Sequence, residues 1–336
     1  MSTVSTLVLV QTNITRYVLP TILALGNLGN LLTIAIYSQK NHRINSCSIY
    51  LIAMSCFCLM GANWAIVPSV YALNHFDLVS NSLILCRIRG YIIHTCSMCF
   101  RYTLVLVCVD RYALCNMKVS IRALSRSQIA YRAIGIVTVF WSVISVHLLI
   151  WESIENGRCG VYGIYGQIFS FYIAIFTGLI PIILMISFSV MLVKNLHRLR
   201  SQVQSIHGTH RLSRRDVSLM KLILVEVIVY IICTIMYPSM TIYTQVTSYM
   251  TSNKSAQQKG IESFINFITM SLLLYLNYNT TFYVHVITSK AFRNEVKQLL
   301  LKCIRRSPNN LTNQQHGVEP IMTVRGKQHL QNITII

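Results

Sequence analysis

Seven apolar segments divide this chain. Each is near or above the roughly 20 residues that a helix needs to cross a bilayer core of about 30 Å. They cover residues 18–38, 49–73, 87–112, 133–151, 167–193, 222–243 and 264–287. Of the 336 residues 54% are hydrophobic and 11% charged, against about 25% charged in soluble domains. A water-soluble globule of this size could not hide that much apolar surface. The sequence therefore predicts an all-α membrane protein, a seven-transmembrane-helix bundle with short connections. No two segments match as transporter-type repeats, and none at corresponding positions are broken by Gly or Pro. The first ten residues lack a basic n-region and an A-x-A site, so the first segment is expected to act as its own uncleaved insertion signal.

The net charge of +20 is explained by where the basic residues fall. With the N-terminus outside, the inner loops and tail hold 22 Lys and Arg and the outer segments hold 6, with Arg101 left inside a span. That bias predicts N-out, C-in, and it points to anionic lipid headgroups and no nucleic acid. The sequons at Asn13 and Asn253 fall on the outer side and are candidate glycosylation sites; Asn279-Thr280-Thr281 lies within the seventh segment, out of reach of the transferase. The expected divisions are an extracellular N-terminus at 1–17, a membrane domain at 18–306 and a disordered cytoplasmic tail at 307–336. Phe292, Val296, Leu299, Leu300 and Cys303 recur at helical spacing among basic residues. This predicts a short amphipathic eighth helix on the inner leaflet, with Cys303 placed for palmitoylation. The terminal Thr334-Ile335-Ile336 has the form of a PDZ-domain ligand.

One helix joins two chemically distinct ends. Cys86 stands 25 residues before Arg111, roughly 37 Å at 1.5 Å per residue, so a thiol sits at one membrane face and the Asp110-Arg111 pair at the other. Arg101 lies between them. An arginine at that depth costs about 2.5–3.5 kcal/mol to insert and must face the bundle interior. No acid is expected at its level, so Asn, Ser, Thr, carbonyls or water must serve it. It reads either as a contact for an anionic or carbonyl-rich ligand or as a structural hub. Most other cysteines fall in apolar segments and read as small hydrophobes. Cys96 and Cys99 lack a second pair at zinc spacing, so neither metal nor cofactor is expected.

Seven N-out segments with these landmarks resemble the rhodopsin-like G-protein-coupled receptors over roughly residues 15–306. Gly29-Asn30, Cys86, Asp110-Arg111-Tyr112, Trp141, Pro181, Pro238 and Phe292-Arg293 match the family's motifs. The acid usual in the second span is replaced by Cys58, and the aromatic position before the sixth-span proline reads Ile235-Met236-Tyr237-Pro238. The seventh-span motif reads Thr281-Phe282-Tyr283-Val284-His285 if Asn277 is the family's upstream asparagine, and Asn279-Thr280-Thr281-Phe282-Tyr283 otherwise. The first register spaces better to Phe292 and looks like the pattern of invertebrate peptide receptors of the FMRFamide type.

The resemblance implies a plasma-membrane receptor, not an enzyme, that couples an extracellular ligand to a heterotrimeric G protein. It implies a disulfide from Cys86, with Cys159 as partner in a loop at 152–166 that its glycines make flexible. It also implies that Asp110 holds Arg111 at rest, with Tyr112, Pro238, Thr281, Tyr283 and His285 in the switch and Asn30 and Asn277 as intramembrane polar residues. Asp216 and Glu226 flank the place of the family's sixth-span inner acid, and neither is assigned. An amine site would need an acid between Cys86 and Val109, and a retinal site a lysine in 264–287; neither exists. A peptide or a neutral or acidic small molecule remains, with Asp77, Glu152, Glu155 and Glu262 as outer acids for a basic peptide end. The alternatives are a chemosensory receptor for a small molecule and a seven-span channel or transporter.

Overall fold

A computed structural model describes residues 3–39, 45–205, 214–247 and 254–306. Among them are seven helices long and apolar enough to cross a membrane: α1 (Thr3–Tyr37), α2 (Ser46–Tyr71), α3 (Leu83–Leu114), α4 (Ser127–Trp151), α5 (Gly163–Arg198), α6 (Val217–Thr244) and α7 (Ala256–Thr288). An eighth helix, α8, follows at Lys290–Arg306. The first compact unit of the chain ends at Glu295.

The bundle is apolar outside and carries its buried polar and charged groups within an otherwise apolar interior. Ile136, Val139, Phe140 and Val143 of α4 are exposed, while Asn30, Arg101, Asp110, Arg111, Glu226, Asn277 and His285 are buried. That inversion suits a lipid surround, because a buried polar group needs partners that hydrocarbon cannot supply. α3 is the axis. It touches α2, α4, α5 and α6, and 67% of its most apolar stretch is buried, against 17% for α4.

Small residues let α1 and α7 approach closely. A Cβ on Gly29 would stand 2.8 Å from Phe282 Cβ, and one on Gly26 would collide with the Asn279 side chain. Asn30 Nδ2 donates to the Tyr278 carbonyl at 3.4 Å across the same seam. Ser289 stops α7 and starts α8 by accepting from the Phe292 amide at 3.2 Å. Phe292 is buried against Tyr37, Phe282 and His285.

Two sequence expectations change. The first helix begins at Thr3, not near residue 18, and runs through a π-helical turn at Ile14–Val18 into the span. Its early turns pack on α7, where Val4 meets Gly260 and Gln11 donates to the Ser263 carbonyl at 3.3 Å. Asn13 is exposed within this helix. The loop after α4 is a β-hairpin, with β1 (Ser153–Glu155) paired to β2 (Arg158–Gly160). Asn156 and Gly157 have φ of 51° and 67°, the left-handed pair that a two-residue hairpin turn requires, so these residues order the loop. The Asn253 sequon, the Cys303 side chain and residues 307–336 with the terminal Thr334 motif lie outside the described residues.

Candidate functional site

The hairpin covers one end of the bundle. Cys86, at the start of α3, is joined to Cys159 on β2, with Cα atoms 5.7 Å apart. Arg87 Nε donates to the Glu152 carbonyl at 2.9 Å and ties the base of the hairpin to the same turn of α3. Beneath lies a cavity of about 500 Å³, within the range of small-molecule and peptide-end pockets. Gly90, His94, Ser97 and Arg101 form one stripe of α3 along its wall, and Glu152, Phe169, Tyr237 and Tyr278 face them.

The outer acids separate by position. Asp77 caps a short helix, accepting from the Val79 and Ser80 amides at 3.0 and 3.2 Å. Some desolvation opposes ionisation there, but the bonds from Ser80 win and hold the carboxyl below its usual range. Glu262 pairs with Lys254 at 2.7 Å and accepts from Tyr243 at 2.9 Å. Glu155 is exposed on the hairpin. Glu152 alone lines the cavity; it is 8% exposed, and its Oε2 has no hydrogen-bond partner among the described residues. Its other oxygen lies beside the disulfide, whose bonded sulfurs offer no thiolate to a metal.

Burial pushes the Glu152 carboxyl up to about 7, with Arg89 and Arg87 pulling the other way and Tyr165 also facing it. An acid whose folded pKa is raised favours the fold fully below its ordinary value of 4.5 and loses that contribution as pH rises through about 7. Thermal unfolding of purified protein should therefore show a fall in stability across this window. Glu152→Gln should flatten it; an unchanged pH profile in that variant would contradict the assignment.

Deeper in the cavity, Arg101 is 2% exposed. It donates to Ser97 Oγ, which also bonds the Tyr278 hydroxyl. Tyr230 is within hydrogen-bonding range, and Tyr237 lies close. Tyrosines from α6 and α7 thus join the serine as its company, a set that the sequence did not indicate. No acid pairs with it among the described residues, and its Nε has no partner there. The same tyrosines meet the proline kinks. Pro181 has no N–H for the Thr177 carbonyl four residues earlier, and the Tyr230 hydroxyl donates to that carbonyl at 3.3 Å. Pro238 breaks α6 near Ile235, and its ring fills the space a Gly178 Cβ would need, 2.8 Å from Cγ.

At the far end of α3, Asp110 and Arg111 are both buried. Arg111 Nε donates to Asp110 Oδ2 at 2.9 Å, and its Nη2 donates to Asn45 Oδ1 and Ser46 Oγ at the start of α2, both at 3.3 Å. Ser125, in the connection to α4, donates to Asp110 Oδ1 at 2.8 Å. Tyr112 faces elsewhere, its ring on Phe188 of α5. Glu226 of α6 is the residue that sequence reasoning left unassigned. It is 4% exposed, accepts from Thr281 Oγ1 at 2.7 Å and stands 3.4 Å from His285 Nε2. Thr281 and His285 point inward. Tyr283 instead donates to the Leu25 carbonyl on α1 at 3.0 Å and is separated from them. Asn277 is buried with its Nδ2 unbonded among the described residues. Cys58, on α2, is buried. Of the eight free cysteines described, only Cys56 is exposed.

A family model described as 7 transmembrane receptor (rhodopsin family) matches residues 29–277, about three quarters of the chain. The chain belongs to this family. No curated protein is similar enough in sequence to be matched to it. As a rhodopsin-family receptor it is a multi-pass membrane protein, and the family's partners are an extracellular ligand and a G protein. The receptor's cavity and its Asp110-Arg111 pair lie near opposite ends of α3, so a single rigid element connects them.

Proposed function

We propose that this receptor lies in the plasma membrane with its N-terminus outside, binds a peptide beneath the hairpin and passes the signal to a heterotrimeric G protein at the Arg111 end. The observation that carries the reading is α3 itself, with the cavity stripe at one end and the buried Asp110–Arg111 pair at the other. The pair, with Asn45, Ser46 and Ser125 around it, forms the resting state. Ligand binding favours a second state in which the inner ends of α6 and α7 move and Arg111 becomes available. Pro238 and the α5 π-helical turn at Ile173–Leu179 supply the flexible point of α6 and α5, and Glu226 with Thr281 and His285 forms the latch.

The basic inner loops engage lipid headgroups, Cys303 is acylated, and Asn13 and Asn253 carry glycans. The peptide reading draws on the seventh-span pattern and on a cavity too large for a single amine and capped by an ordered roof. Screening peptide pools and metabolite pools in cells that carry a promiscuous G-protein reporter tests it. A response to peptides alone is expected. A response to metabolites with silence across all peptides would replace the peptide reading by a chemosensory one.

A further inference from the structure

The cavity carries a buried acid, Glu152, and a buried base, Arg101, that do not pair with each other; burial leaves the acid partly protonated near neutral pH, and a cation beside it would restore its full negative charge. Four residues on one face of α3 set their spacing. Gly90 meets Glu152, whose carboxylate occupies the space a Cβ at that position would take. Seven residues on, and so back on nearly the same face of the helix, Ser97 accepts from Arg101. That bond draws the guanidinium one turn toward the hairpin, to the level of Ser97. Seven residues of helix rise about 10 Å, so the anionic and cationic centres stand about that far apart along the wall. His94 lies between them, its Nε2 3.0 Å from the Tyr172 hydroxyl.

Each charge has an unsatisfied atom, Glu152 Oε2 and Arg101 Nε, and both side chains are more than nine-tenths buried. The other cations at the mouth are committed. Arg89 donates to the Trp64 and Ala65 carbonyls and to Ser69 Oγ, at 3.2, 2.8 and 3.0 Å, and Arg87 donates to the Glu152 carbonyl. Around Arg101 the groups are hydroxyls, which solvate a cation but leave its charge uncancelled. Burying an ion without a counter-ion is costly, and a ligand that supplies the missing charge recovers that cost as affinity.

We propose that the cavity takes a dipolar ligand, which brings a carboxylate to Arg101 at the floor and a cationic nitrogen to Glu152 beneath the hairpin. The inference deepens the receptor reading by giving its ligand a chemistry. Two or three extended residues, at about 3.3–3.6 Å each, bridge the two protein charges. A short peptide with both ends free and a linear ω-amino acid share this chemistry. A peptide entering in this way goes in carboxyl end first, and a C-terminal amide there leaves the guanidinium without a counter-ion.

The test uses purified full-length receptor and heat stability as the readout of binding. The probes are tripeptide pools with both ends free, the same pools C-amidated or N-acetylated, and ω-amino acids of graded chain length. Pools with both ends free should stabilise the protein, and blocking either end should weaken apparent affinity by roughly 30-fold. Arg101→Gln should erase the preference for carboxylate over amide, Arg101→Lys should keep it, and Glu152→Gln should erase the preference for a free amine. If the ω-amino acids bind with an optimum length and the peptides do not, the ligand is a small dipolar molecule. Equal binding of blocked and free pools, or no stabilisation by any probe, overturns the proposal. Because no G protein enters this assay, a probe that binds as described but drives no nucleotide exchange supports the dipolar site and counts against the coupling reading alone.

Discussion

Glu226→Gln is expected to raise agonist-free nucleotide exchange on the G protein about tenfold, and adding Arg111→Ala should return it to background. Glu226 is a buried carboxylate that ties α6 to Thr281 and His285 of α7. A hydrogen bond to a charged group is worth about 1.5–3 kcal/mol, and 1.4 kcal/mol is a factor of ten in an equilibrium. An open state populated at about 1% would then reach roughly 10%. Arg111 is a different kind of residue in this scheme. It is 1% exposed, held by Asp110, Asn45 and Ser46, and the opening is what releases it. Removing its guanidinium leaves an opened bundle with nothing to offer the partner. Exchange measured in membranes from cells expressing each variant at equal surface level separates the roles. If the double variant stays as active as Glu226→Gln, Arg111 is not the contact.

Removing the disulfide should have the second largest effect. Cys86 and Cys159 are 73 residues apart in sequence, a separation for which loop-closure entropy gives about 4 kcal/mol in a free chain. The bilayer already restrains α3 and α4, so that figure is an upper bound. The larger consequence is local. The hairpin is the roof of the cavity and carries Glu152 at its base, and without the bond it is left to the Arg87 contact, the Tyr162 hydroxyl on the Arg158 carbonyl and packing. Cys159→Ser should lower the melting temperature and weaken ligand binding at least tenfold. The Cys86→Ser/Cys159→Ser double variant should be no worse than either single one, because the loss is of one shared bond. Single losses that add in the double variant would show that the two sulfurs act separately.

The parts of this molecule legible in its sequence were those written in local pattern. Apolar length gave the seven spans, and the basic residues between them gave an orientation to test. The first helix was expected to begin near residue 18, and it begins at Thr3. Its early turns are held by contacts with α7, near Gly260 and Ser263, which no local pattern shows. The hairpin was legible and was misread. Asn156-Gly157 between two short polar-apolar runs is a turn signature, and its glycine orders the loop. Glu226 and the tyrosines around Arg101 were not legible, because their meaning depends on which faces of three helices meet. Arg101 could be said to face inward on insertion cost alone, but only the bundle shows that Tyr230, Tyr237 and Tyr278 surround it and that no acid does among the described residues. The seventh-span register was a choice between two readings. In the fold Thr281 points inward to Glu226 and Tyr283 turns outward to Leu25, an arrangement set by which face of α7 meets α6 and which meets α1.

Coupling as proposed here depends on one physical event, the parting of α6 from α3 at the Arg111 end when the cavity is filled or the latch is cut. Spectroscopic probes at Met117, exposed just past the end of α3, and at Lys221, exposed on α6, report it as a distance in the reconstituted receptor. Nucleotide-free heterotrimer should add a population roughly 5 Å or more longer, and Glu226→Gln should show part of that population without any partner. A single unchanged distance under both conditions would contradict the account.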